Sequence, residues 1–203
     1  MQSYQLVGQL AREQARVGER TRILRDMHDG VGAHISTAIR QLESGCATQP
    51  EVLHTLRDSL DQLKLSIDAM NLPPGDITAL LANLRYRLAP RLKVSGLEVQ
   101  WDVDLLEPLG GLDDRAMHHI QYMVFEAVSN VLQHAKASTI RIVLRSTLNG
   151  GAQLLVIDNG CGFVPGISHV RGLGSLRERA ALIDGNLSIA SAPGKTQVEI
   201  LLN

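Results

Sequence analysis

The chain has 203 residues, enough for two small domains, and its 44% apolar and 20% charged content supports packed structure throughout. A formal net charge of −1 removes any global pull toward nucleic acid or an anionic membrane, so an anion site must be local. Cys46 and Cys161 lie far apart without metal-ligand spacing, which fits two free thiols in a reducing cytosol better than a disulfide scaffold. The polar amino terminus lacks the apolar stretch of a signal peptide, and no run of roughly eighteen apolar residues occurs, so no segment is expected to span a membrane. A polar helix that begins so abruptly is compatible with a sensory or membrane-embedded module absent from this chain.

From Ile23 to Leu42 the residues Leu24, Met27, Val31, Ile35, Ala38 and Leu42 recur at steps of three and four, the mark of one long amphipathic helix. Residues 44–50 break the pattern, with Pro50 suited to a first helical turn. Leu53, Leu56, Leu60, Leu63, Ile67 and Met70 then form a second seam, ending before Leu72-Pro73-Pro74-Gly75. A hairpin of two such helices does not enclose both seams, whereas two hairpins paired as a four-helix bundle do, so a homodimer is expected. An intramolecular bundle with the second half is the alternative.

Beyond the Pro-Pro-Gly linker, helices and strands alternate. Residues 76–90 read as a helix, 97–103 as a strand and 113–135 as a long helix. Residues 139–146 alternate as a strand, Asn149-Gly150 marks a hairpin turn, and 153–157 return as its partner. A helix near 175–183 and strands at 186–190 and 197–202 close the chain. These elements make an α+β sandwich with helices on one face of a largely antiparallel sheet.

On the first helix His28 falls about 50° from the centre of the Leu24/Val31/Ile35 stripe, held by packing yet reachable. The carboxylate of Asp29 is close enough to accept a hydrogen bond from imidazole Nδ1, leaving Nε2 unprotonated and nucleophilic. Taken alone, the pair describes an interface histidine beside a solvated aspartate better than a nucleophile. Gly30 and Gly32 each cost about 1 kcal/mol in a helix interior, consistent with a helix kept soft beyond the nucleophile or with close packing.

On the long helix Glu126, Asn130 and His134 form a polar stripe opposite Met117, Ile120, Val124, Val128 and Val131. Oxygen ligands of this kind suit Mg²⁺ bridging to phosphates, and a solvated helix face would carry the same residues. The apolar run 154–157 enters Asp158-Asn159-Gly160-Cys161-Gly162, where an acceptor-only carboxylate followed by glycines can meet a purine amino group; a plain turn looks similar. The segment Arg171-Gly172-Leu173-Gly174-Ser175-Leu176 opens a helix whose amide-rich start can receive phosphate oxygens. Gly194-Lys195-Thr196 ends like a P-loop, but position 189, where the first glycine belongs, is Ile189. Gly160, Gly162 and Gly166 are spaced one residue too far for a dinucleotide fingerprint.

Together and in this order the segments resemble the sensor histidine kinases of bacterial two-component systems, in particular the nitrate-sensor-like subfamily. Residues Arg22 to Asp29 look like the phosphoacceptor box, Glu126 to Ala135 like the N box, Asp158 to Gly162 like the first glycine box, Gly172 to Arg179 like the second, and Gly194 to Thr196 like the last segment of the ATP fold. The resemblance implies a dimerisation and histidine phosphotransfer domain over residues 1–72 and a catalytic ATP-binding domain of the Bergerat type over 73–203. It implies ATP and Mg²⁺ as cofactors, with Asn130 holding the metal, Glu126 assisting it or the transfer, and Asp158 binding the adenine amino group. Gly160 and Gly162 would line the nucleotide, Gly172 and Gly174 would sit in the ATP lid, His134 and Lys136 would contact phosphates, and Thr196 would support Asp158. The γ-phosphate would pass to Nε2 of His28 and on to an aspartate of a response regulator, in the cytoplasm.

A catalytically silent ATP-binding scaffold and a serine-directed kinase or ATPase of the same superfold are the competing readings; His28, Asp29, Glu126 and Asn130 speak against the first and the helical hairpin against the second. One position departs from the subfamily. Where it often carries glutamine or histidine, four residues beyond the acidic neighbour of the phosphohistidine, this chain has Ala33, with His34 about 100° further round the helix. Weak dephosphorylation of the phosphorylated regulator is therefore expected, with a gain in Ala33→Gln; fast dephosphorylation by the wild type would refute it.

Overall fold

The computed structural model describes residues 18, 21, 35–36, 38–40, 42–43, 48–69, 72–163 and 173–202. The chain divides into two units, Met1–Met70 and Asn71–Asn203. Among the described residues no helix is long and apolar enough to cross a membrane.

In the first unit the described positions from 35 to 43 are helical, and helix α1 spans Gln49–Ala69. On α1 the seam read from the sequence is not the face that is buried. Ala38, Val52, Ser59 and Leu65 are buried, and the Ser59 hydroxyl donates to the Thr55 carbonyl at 2.8 Å. Leu53, Leu56, Leu60 and Ile67 stay about half-exposed, as do Ile35, Ile39 and Leu42. A helix packed on one neighbour hides only one side, so a second apolar stripe is left facing outward. His28, Asp29, Ala33, His34 and Cys46 lie outside the described residues.

In the second unit helix α2 spans Ile77–Ser95, capped by Asp76, whose Oδ1 accepts from the Ala79 amide at 2.8 Å. It runs five residues beyond the sequence expectation, through Pro90. Proline costs about 3 kcal/mol in a helix interior, but Leu88 and Leu92 continue the buried stripe of Ile77, Leu80, Leu81 and Leu84, and Pro90 lies on the solvent side. Strand β1 is Glu98–Val103. Helix α3, Asp114–Asn130, is capped by Asp113 and passes into a wider π-helical turn, Val131–Ala135. Strands β2, Thr139–Ser146, and β3, Ala152–Asp158, form the hairpin; helix α4, Leu173–Ala181, precedes strands β4, Asn186–Ala192, and β5, Lys195–Leu202.

The sheet order is β1-β2-β3-β5-β4, with β1 parallel to β2 and the other pairs antiparallel. Strict alternation along β3 and β5 sends Leu154, Val156, Val198 and Ile200 toward the helices. There they meet the buried stripe of α3, Met117, Ile120, Val124 and Val128. The opposite face mixes Val143, Leu155, Ile157 and Leu201 with polar groups: Arg145 and Arg141 bracket Asp102 and hold its carboxyl below the usual carboxylate range, and Gln153 donates to Glu199.

The entry into α2 is fastened by backbone. Gly75 adopts φ +78°, its carbonyl accepts from the Leu109 amide at 3.1 Å, and a Cβ there would stand 2.3 Å from the Leu109 oxygen. Neither the conformation nor the space admits a side chain. Gly75→Ala should lower the stability of this unit by about 2 kcal/mol or more in urea unfolding, and an unchanged midpoint would show that the 104–112 loop yields freely.

Candidate functional site

The site begins where α3 changes pitch. The five residues that continue it, Val131–Ala135, form a π turn, and Lys136 then takes the left-handed conformation at φ +50°. The carbonyls at a helix end need new partners. Ala135 accepts from the Cys161 amide at 2.8 Å, and the Cys161 thiol reaches the His134 carbonyl at 3.6 Å. The end of α3 is thereby docked on the segment that follows β3.

That docking requires the residues found there. A Cβ on Gly160 would lie 2.3 Å from the Ala135 oxygen, and one on Gly162, at φ +67°, 2.5 Å from the Ala192 oxygen. The Gly160 carbonyl accepts from the Gly194 amide at 2.8 Å, closing the segment against the β4–β5 turn. Asn159 braces the other side: its Oδ1 accepts from the Ser138 and Thr139 amides, each at 2.9 Å, and its Nδ2 donates to the Ser138 hydroxyl at 2.8 Å.

Asp158 ends β3 with only 6% of its surface exposed. Its Oδ1 accepts from the Gly160 amide at 2.8 Å. Burial pushes the carboxyl above its usual range, and that one amide offsets the effect only in part. A buried acceptor of this kind favours a ligand that brings a hydrogen to it.

Asp158 stands in a cleft of about 600 Å³, counting the solvent at its mouth. Asn130 and His134 line one side; Val131, Val156, Leu176 and Val198 make apolar walls; Gly162, Phe163, Leu173 and Thr196 complete it. Thr196 is the register partner of Asp158 across β3 and β5, and its hydroxyl lies 2.9 Å from that of Ser191, which accepts from the Phe163 amide at 2.9 Å. An apolar slot with one buried carboxylate, one amide and one imidazole matches a flat heterocycle joined to an anionic chain.

The structure therefore brings Asn130, His134, Asp158, Gly162 and Thr196 to one cleft, with Gly160 at its edge. Glu126 sits one turn before Asn130, half-exposed, and does not line the cleft; Lys136 is exposed just past the π turn. Gly174 is exposed in the first turn of α4, while His28, Asp29 and Gly172 fall outside the described residues. Cys161 is a free, exposed thiol. Ser191 and the bracing role of Asn159 were not legible in the sequence, since each depends on a partner more than four residues away.

Residues 116–203 match the family of histidine kinase-, DNA gyrase B- and HSP90-like ATPases. That matched segment, within the second unit, is similar to histidine kinase-like ATPase domains. The chain is 32% identical to the sensor histidine kinase LiaS of Bacillus subtilis over 205 residues, an alignment covering 90% of this chain and 53% of that protein. It is 25% identical to the nitrate/nitrite sensor protein NarQ of Escherichia coli, over 87% of this chain and 33% of that protein. The chain thus spans about half or less of the length of these relatives. In fold it is similar to the blue-light activated histidine kinase of Erythrobacter litoralis, with a TM-score of 0.60 at 16% identity, covering 91% of this chain and 59% of that one. It is also similar to ShkA in complex with AMPPNP, with a TM-score of 0.54 at 17% identity, over 90% of this chain and 45% of that one.

Because burial raises the folded-state pKa of Asp158, its ionised form costs stability at neutral pH, and that cost is relieved as pH falls through the raised value. Asp158→Asn should accordingly raise the thermal midpoint at pH 7, with the advantage shrinking in acid. Equal midpoints at both pH values would contradict the burial effect.

Proposed function

We propose that this chain is the phosphoacceptor and ATP-binding core of a two-component sensor histidine kinase, which phosphorylates His28 and passes the phosphoryl group to an aspartate of a response regulator. The observation that carries this reading is the buried carboxylate of Asp158 at the end of β3, facing an apolar cleft that Asn130 and His134 border. The family match and the kinship with sensor histidine kinases over most of the chain support it.

The residues fit a nucleotide. The free oxygen of Asp158 would accept from the adenine amino group, and Val131, Val156, Leu176 and Val198 would enclose the ring. Asn130, with Glu126 one turn away, offers oxygen ligands of the type Mg²⁺ takes, and the metal would supply neutralisation of phosphate charge. His134 and Lys136 stand at the exposed end of the same helix, where the triphosphate would leave the cleft.

In the transfer, Nε2 of His28 forms a bond to the γ-phosphorus as the bond to the β-phosphate oxygen breaks, and ADP leaves. Asp29, by accepting the Nδ1 hydrogen, would hold the tautomer and steady the charge that develops on the ring. Positioning and charge neutralisation make up most of such catalysis. The outward apolar stripe of Leu53, Leu56, Leu60 and Ile67 would be covered by a second copy, forming a dimeric four-helix bundle.

Incubation with γ-labelled ATP and Mg²⁺, wild type beside His28→Ala, tests the reading. Label that is acid-labile, base-stable and absent from the variant is expected. Label retained in His28→Ala, or none in a wild type that binds ATP, would overturn it.

A further inference from the structure

The hydroxyl of Ser191 joins two parts of the cleft wall that the sequence keeps far apart. It accepts from the Phe163 amide at 2.9 Å and lies 2.9 Å from the hydroxyl of Thr196. Phe163 and Thr196 both line the cleft, and Thr196 is the register partner of Asp158. A serine hydroxyl has one proton and two lone pairs. With one lone pair committed to the Phe163 amide, Ser191 keeps its proton and a second lone pair for Thr196 Oγ1; when Ser191 gives that proton, the proton of Thr196 is left to point into the cleft. The base-binding end then presents an acceptor at Asp158 and, beside it across the strand pair, a donor at Thr196.

We propose that Ser191 is a specificity-determining residue: by donating to Thr196 it fixes that hydroxyl as a donor, so that the cleft reads a purine carrying an amino group beside an unprotonated ring nitrogen. Adenine has this pattern, with its 6-amino hydrogen for Asp158 and its N1 lone pair for Thr196. Guanine has the reverse, an oxygen facing Asp158 and an N1 hydrogen facing Thr196. A site committed to one polarity rejects the opposite one because buried groups are left facing like partners. With Ser191 removed, the Thr196 hydroxyl turns freely and accepts as readily as it donates, while Asp158 still requires the amino group. Ser191 acts through Thr196 and does not itself touch the base.

This inference rests on the nucleotide reading above, and isoguanosine triphosphate separates the two. That analogue keeps the 6-amino group but carries a hydrogen on N1, so it changes the polarity seen by Thr196 while leaving that seen by Asp158; its added 2-oxo group is the same for every variant compared. The measurement is the dissociation constants of ATP and isoguanosine triphosphate for the full chain. In wild type, ATP is expected to bind the more tightly. In Ser191→Ala that preference should fall by about tenfold or more, with ATP affinity itself changed less, and Ser191→Thr should restore it. Thr196→Val, a substitution suited to a strand, deletes the oriented hydroxyl and should produce the same loss of preference even if Ser191→Ala folds poorly. A preference kept within twofold in folded Ser191→Ala or in Thr196→Val overturns the role of Ser191 while leaving nucleotide binding intact. A wild type that binds neither nucleotide overturns both readings.

Discussion

The contact between the widened end of α3 and the backbone after β3 is the one on which the site depends. The Ala135 carbonyl, left without a helical partner at the end of the π turn, is met by the Cys161 amide. That bond is possible only because position 160 lacks a side chain; any Cβ there would occupy the space of the Ala135 oxygen. Through this approach a helix that brings polar side chains comes to border a strand end that brings a buried carboxylate. Every other feature of the cleft is arranged around it.

The sheet gives that contact its rigidity. β3 lies in the middle of five strands, hydrogen-bonded to β2 and β5 along its whole length, so Asp158 is held at the last position of a ladder that runs from Ala152. Asn159 ties the strand end to Ser138 and Thr139, and the Gly194 amide ties Gly160 to the β4–β5 turn. A buried carboxylate that is only partly satisfied costs stability, and such a cost persists where the surrounding structure determines the position. The raised pKa of Asp158 is the electrostatic trace of that arrangement.

Most of the local structure was legible before any coordinates. The alternation in 139–146 places β2 at the bounds it has, and the leucine spacing from 53 to 67 falls within α1. Where reading and structure part, the reason is non-local. Pro90 argues for a helix end, yet the burial of Leu92 carries α2 to Ser95. A continuous helical period through Ala135 gives no warning of the π turn, because the turn is stabilised by partners some 26 residues further on, at Cys161. The leucine stripe of α1 reads as buried and is half-exposed in the single chain, since periodicity reports which residues share a face and not what covers it.

By itself the sequence determined the order of the elements, the face each presents, and the residue types able to serve a phosphoryl-transfer site, because these follow from local periodicity and from the chemistry of single side chains. Only the tertiary structure decided which of them meet. Asn130, His134, Asp158, Gly162 and Thr196 border one cleft, whereas Glu126 stands back from it by one helical turn. The hydrogen bonds that give Ser191 its place run from Phe163 to Thr196 through the register of β4 on β5. A strand register is the joint result of an entire sheet's packing, so a polar contact that depends on it is not encoded in any one segment.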